Sequence, residues 1–276
     1  MTRRAVVQRL QALRVAGVEE VDRAKAEKLL AQLSEFDAAT SLPEKPRPVY
    51  QPPKPTVEEP VKKKKRAEAL PIVVSNDDFS ELIAMEDRHA ALAILREKVA
   101  RCTRCLELVS SRKQTVLGTG NPYARLMFVG EAPGRDEDEQ GIPFVGRAGQ
   151  LLTKMIESGM KISRENDTYI CNILRCRPPG NRAPLPDEAA KCRQFLDAQI
   201  ALVKPEFICC LGASAAQFLL DTTTTISRMR GQKYYYHNAT VVCTYHPAYL
   251  LRNPAQKAAT WQDLQFLMEL MGLEKS

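Results

Sequence analysis

Four cysteines and one histidine are spaced in ways that suit chemistry. Cys102 and Cys105 form a C-x2-C pair, Cys176 stands alone further on, and Cys192 follows it by sixteen positions. The C-x2-C spacing lets two thiolates face one ion, and two more complete a tetrahedral set. Zinc and an iron–sulfur cluster both accept four cysteines, so spacing leaves both open. Zinc ribbons usually pair two C-x2-C knuckles, and here there is one. Cys171, Cys209, Cys210 and Cys243 lie inside apolar runs and read as small buried hydrophobes. His246 is followed by Pro247, which fixes a turn where a side chain can reach a pocket, whereas His89 and His237 have no comparable setting.

These residues need elements to position them. Four short apolar runs, "RLMFVG", "TYICNIL", "EFICCLG" and "TVVCTY", read as buried strands. Helix-length segments over 148–159 and 187–203 and a short helix "ASAAQFLL" alternate with them, and a helix over about 256–271 closes the chain. Strands alternating with helices predict an α/β fold with a parallel or mostly parallel sheet between helices. Ligands of such sheets bind outside the carboxyl ends of the strands. The chain there is chemically rich. The first run leads into "GEAPG" and "PFVG"; the second carries Asn172 and leads into "RCRPPGNR"; the last leads into "YHPAYLLR". The third leads only into "GASAAQ", whose small residues suit a tight entry into a helix. "YYYHN" reads as a strand and turn.

The first strand-end loop, "VGEAPGRDEDEQGIPFVG", holds five carboxylates, Glu131, Asp136, Glu137, Asp138 and Glu139, in a chain of 276 residues with net charge +7. A basic balance favours polyanionic partners, although a charge this size is also what a solvated surface carries. Ahead of the sheet, a helix over about 79–99 starts from Asn76, Asp77 and Asp78, good capping residues. Residues 1–40 have helical spacing, and residues 41–76 form a proline-rich linker expected to be disordered, leaving 77–276 as the main domain. The linker holds "KKKKR", Lys62 to Arg66, which reads either as a phosphate tether or as a solvated run beside Glu58, Glu59 and Glu68. Arg9 and Arg14 interrupt the first apolar stretch, and no run is long enough to span a bilayer, so a cytoplasmic location without membrane contact is expected.

"VGEAPG" with "PFVG", "CNILRCRPPGNR", "TYHPAYLLR" and the four cysteines together resemble the family-four uracil-DNA glycosylases, from about Cys102 to Gly272. The resemblance implies a four-stranded mostly parallel sheet sandwiched by helices and a [4Fe–4S] cluster on Cys102, Cys105, Cys176 and Cys192. It implies hydrolysis of the N-glycosidic bond of a flipped-out uracil in DNA, leaving an abasic site. Phe144 matches the residue that stacks on the base, Asn172 the one that reads its edge, and His246 the donor to uracil O2. Backbone N–H groups near Glu131 and Ala132 would assist, and Glu137 matches the position beside base C5 that blocks a thymine methyl. Asp136, Asp138 and Glu139 are expected to be solvated or turned away from the phosphates, with no role in the site. Arg177, Arg182 and Arg252 are candidates for phosphates, and Tyr249 or Leu250 for the wedge that fills the gap left by the base. Where a related branch places a water-activating aspartate this chain has Ala132, which leaves neighbouring Glu131 as the candidate base. The alternatives are a protein that only binds uracil-DNA, or a non-catalytic iron–sulfur DNA-binding module. The basic "KRRIH" insertion of a covalently trapped relative is missing, which favours turnover. A monomer is expected, and the N-terminal extension is a candidate to dock a protein partner.

Overall fold

A computed structural model describes residues 77–273, so the expected N-terminal helices and linker lie outside the described residues. The centre is a sheet of strands β1 (Thr119–Gly120), β2 (Leu126–Gly130), β3 (Thr168–Asn172), β4 (Phe207–Leu211), β5 (Lys233–Tyr236) and β6 (Ala239–Thr244), in the order β1-β3-β2-β4-β6-β5. β3, β2, β4 and β6 are parallel neighbours and are the four predicted strands. The expected four-stranded sheet is thus enlarged to six by an antiparallel strand at each edge. β1 has two residues, too few for any periodicity, and β5 alternates exposed and half-buried residues as an edge strand does.

The parallel strands read as unbroken apolar runs because both faces are covered. Successive side chains point to opposite faces. Met127, Val129, Cys171, Cys210 and Cys243 enter one core, while Leu126, Phe128, Ile170, Cys209 and Val242 enter the other. The four strand cysteines are therefore core residues, as their setting predicts. Full burial of a side chain such as Phe128 is worth about 1.5–3 kcal/mol.

Ten α-helices surround the sheet among the described residues. α1 (Ser80–Ile83) and α2 (Arg88–Ala100) replace the single helix expected over 79–99. The break falls at Asp87, whose carboxylate accepts from the backbone N–H groups of His89 (2.9 Å) and Ala90 (3.1 Å) and so starts a new helix. α3 (Leu106–Ser111) and α4 (Arg135–Gln140) were not foreseen. α5 (Arg147–Lys154) runs into a π-helical turn, Met155–Met160. α6 (Pro186–Val203), α7 (Ala213–Leu219), α8 (Ile226–Met229), α9 (Pro247–Arg252) and α10 (Lys257–Met271) complete the layers. No helix among the described residues is long and apolar enough to cross a membrane.

Candidate active site

β2 lies between β3 and β4, so the chain leaves it first to one side and then to the other. Such a reversal opens a crevice at the carboxyl ends of the strands. A cavity of about 400 Å³ lies there, and its walls include Glu131 and Ala132 after β2, Asn172 at the end of β3 and His246 after β6.

Phe144 closes one side. It is buried, and its backbone takes a left-handed φ of 56°, uncommon for a residue with a side chain. Arg164 holds this conformation by donating to the carbonyls of Pro143 (2.9 Å) and Phe144 (3.0 Å). The Phe144 ring lies 5.6 Å from that of His246, centroid to centroid, at 33°. Gly130 lets the wall close: a Cβ there would lie 2.4 Å from Asn172 Oδ1 and 2.5 Å from the Phe144 ring. Asn172 itself is buried, and its Oδ1 has no hydrogen-bond partner. An unpaired buried oxygen is costly unless a ligand supplies a donor.

His246 caps α9, and its Nδ1 accepts the backbone N–H of Ala248 at 3.1 Å. The proton of the neutral ring is therefore on Nε2. Burial, with Arg252 adding to it, pushes its pKa down to about 4, so the ring is neutral at physiological pH. The third strand end, expected only to enter a helix, also serves the site. Gly212, at φ 92°, leaves room for His246, whose Cβ would lie 2.9 Å from a Cβ there. Ser214 Oγ donates to Glu131 Oε2.

The acidic loop is not a simple loop. Six of its residues form α4, with Asp136, Glu137 and Asp138 in the first turn, where carboxylates complement the helix dipole. The Glu137 carboxylate accepts from the backbone N–H groups of Gly134 (3.1 Å), Val145 (2.9 Å) and Gly146 (2.9 Å), tying "GEAPG" to "PFVG". Of the two settings expected for Asp138, solvent is not the one it takes: it is 1% exposed and accepts from the backbone of Lys113 at 3.0 Å. Asp136 is half-buried and Glu139 exposed, Glu139 meeting Lys113 Nζ at 3.2 Å.

The DNA-facing candidates divide. Tyr249 and Arg252 line the cavity, and Arg252 is exposed. Arg182 also lines it, but Glu188 (2.6 Å) and Glu107 (3.1 Å) already neutralise its charge. Arg177 donates to Asn181 Oδ1 at 2.7 Å and is not part of the cavity wall. Leu250 is 1% exposed, because α9 turns it inward; the partly exposed leucine of the segment is Leu251. The expectation of a Leu250 wedge is not met in this structure.

Residues 117–265 match the Uracil DNA glycosylase superfamily. The chain belongs to that superfamily. It is 46% identical over 172 residues to a type-4 uracil-DNA glycosylase of Thermotoga maritima, covering 61% of this chain and 88% of that protein. It is 43% identical over 188 residues to a type-4 uracil-DNA glycosylase of Archaeoglobus fulgidus, covering 65% of this chain and 92% of the relative. A type-5 uracil-DNA glycosylase of Pyrobaculum aerophilum is 26% identical over 181 residues, covering 55% of this chain and 80% of the relative.

In this superfamily member the four predicted ligand cysteines meet. Cys102, Cys105, Cys176 and Cys192 line one cavity between α2, α3, the loop after β3 and α6. Four cysteine thiolates are a donor set that an iron–sulfur cluster accepts, as zinc does. Burial pushes the Cys105 thiol up to about 11 and the Cys192 thiol up to about 12, so as thiolates they need compensating positive charge. Cations are at hand: Arg104, Arg112, Arg175 and Lys191 share the cavity wall, and Arg112 donates to Cys176 Sγ at 2.9 Å. The residues fit a cluster.

Proposed function

We propose that this protein is a DNA repair glycosylase that removes uracil and leaves an abasic site. The observation that carries this reading is the unpaired, buried Asn172 Oδ1 facing a cavity beside Phe144 and His246. Uracil must leave the base stack to reach it. Phe144 then offers an aromatic face, and the Asn172 amide accepts from uracil N3–H and donates to O4. Cytosine presents the reversed pattern at these atoms, and each buried polar group left unpaired costs about 1–3 kcal/mol.

Breaking the N-glycosidic bond places negative charge on the departing uracil. His246 Nε2–H donates to O2 as that charge grows, and the neutral ring is held in the right tautomer by Ala248. Glu131, with one carboxylate oxygen held by Ser214, is the candidate to orient the attacking water. Glu137 is proposed to stand beside C5 of the base, and Arg177, Arg182 and Arg252 to flank the strand, with Arg252 the most available for a phosphate. Tyr249 is the preferred wedge.

Cys102, Cys105, Cys176 and Cys192 would hold a [4Fe–4S] cluster. When bound it supplies iron–thiolate bonds that cross-link the end of α2, the loop after β3 and the first half of α6. The protein is proposed to act as a monomer on uracil-containing DNA.

Incubation with a uracil-containing oligonucleotide, followed by alkali, tests the reading. Alkali should then break the strand at the uracil position, and His246→Ala and Asn172→Ala should each form the alkali-labile site about a hundred times more slowly, or slower still, in line with loss of a preorganised donor or reader. An oligonucleotide still intact after incubation with the iron-loaded protein and alkali would refute it.

A further inference from the structure

Arg175 is 1% exposed and heads the largest fully buried side chains. It stands between the base reader Asn172 and the cluster ligand Cys176. Its Nη1 donates back to the main-chain carbonyl of Asn172, and its Nη2 donates to Gln199 Oε1. Gln199 is itself fixed, donating to the Leu117 carbonyl (3.1 Å) and Tyr169 Oη (2.8 Å). Arg175 Nε has no partner. Both oxygens that the guanidinium meets are neutral, and among the described residues no carboxylate forms an ion pair with it. A buried lysine could shed its proton, but an arginine cannot. A permanent buried cation therefore needs an anion nearby. The wall it shares with Cys102, Cys105, Cys176 and Cys192 places it beside the only strongly anionic group the site is suited to hold, four thiolates around an iron–sulfur core.

We propose that Arg175 is a positioning residue that couples the cluster to uracil recognition: the cluster's negative charge keeps the guanidinium buried, and the guanidinium holds the end of β3 so that Asn172 faces the base. This rests on the roles assigned above to the four cysteines and Asn172. The two functions are separable by substitution. Arg175→Lys keeps the charge as long as the cluster's anion is beside it, but loses the two-armed grip on Asn172 and Gln199. Arg175→Met keeps apolar bulk and loses both, and Arg175→Gln, neutral but able to donate one hydrogen bond, replaces it where the Met variant does not accumulate.

The test uses iron-loaded protein with three readouts: bleaching of the visible iron–sulfur absorbance under chelator, cluster reduction potential, and kcat and KM for uracil excision. In Arg175→Met or Arg175→Gln the cluster should bleach about tenfold faster, the range seen when outer-shell partners of a metal site are removed. Their reduction potential should fall, because a neighbouring positive charge favours the reduced state. Arg175→Lys should restore both to within about twofold of the parent protein, yet excise uracil about tenfold more slowly, the cost of a misplaced reader. A neutral variant with the parent's bleaching rate and potential would overturn the charge coupling. A lysine variant with the parent's kcat and KM would overturn the positioning role. Failure of the underlying reading looks different: the parent protein itself would lack the visible band or leave uracil in place.

Discussion

His246 illustrates how a single residue is prepared by its surroundings. An exposed histidine would be half protonated near pH 6.5, but burial and Arg252 lower this one to about 4. The ring is thus already neutral at pH 6, with Nδ1 occupied by Ala248 N–H and Nε2–H free to donate. Excision should show no acid limb from His246 between pH 6 and 8, and its limb should fall near pH 4. An imidazole limb near 6.5 that disappears in His246→Asn would contradict this. The unfolded chain takes up the proton at higher pH than the folded one, so this histidine lowers stability as pH falls from about 6.5 towards 4. Glu131 is prepared differently, by the Ser214 hydroxyl from the neighbouring strand end. Glu131→Gln should slow excision by about 10²–10⁴ if the carboxylate activates water. Ser214→Ala, which leaves the carboxylate but not its anchor, should reduce kcat by a smaller factor with little change in KM. Near-normal activity in Glu131→Gln would leave Glu131 only a loop-organising role.

Among elements, α4 has the clearest task. Its first-turn Glu137 binds three backbone N–H groups across two halves of the cavity rim, and Asp138 ties the same helix to the chain at Lys113. Glu137→Ala should therefore cost about 2–4 kcal/mol, combining loss of a cap with loss of charge-assisted hydrogen bonds, readable by urea unfolding. It should also relax the rejection of thymine, since the carboxylate lines the cavity. Unchanged stability would show that the rim holds without it, and unchanged thymine rejection would remove Glu137 from specificity. At the far side of the site, Asp263 of α10 accepts from Thr244 Oγ1 at the end of β6 (2.6 Å) and from Arg230 Nε (2.6 Å). Arg230 in turn covers the Tyr245 ring at 4.4 Å. This anchors the strand end two residues before His246, so both sides of the pocket are held by buried carboxylates rather than by loop rigidity alone.

At the scale of the molecule, what was legible in the amino-acid order follows from the physics of a buried parallel sheet. Unbroken apolar runs mark the four central strands, and the residues after them mark the cavity, because ligands bind at those ends. Cys102, Cys105, Cys176 and Cys192 could be picked out because the other cysteines fall inside strands. Ser214 and Arg175 were not legible: their partners lie 83 and 24 positions away, and such pairings leave no local period. α4 was hidden because six charged and polar residues between glycines read as a loop. The extension before residue 77 is a separate question of charge. Among the described residues the cavity wall lies between Glu131 and Arg252, and deleting residues 1–75 should leave kcat on a short uracil oligonucleotide unchanged at low salt. Lys62 to Arg66 make five positive charges, flanked by Glu58, Glu59 and Glu68 and without interleaved aromatics. Each phosphate contact on duplex DNA contributes about 0.9 to the slope of log affinity against log salt. Five engaged side chains would therefore steepen the slope by about 4 to 5, whereas a solvated run adds nothing. We expect the slope of excision against salt to be the same with and without residues 1–75. A shallower slope in the shortened protein, by 2 or more, would instead identify this segment as a phosphate tether.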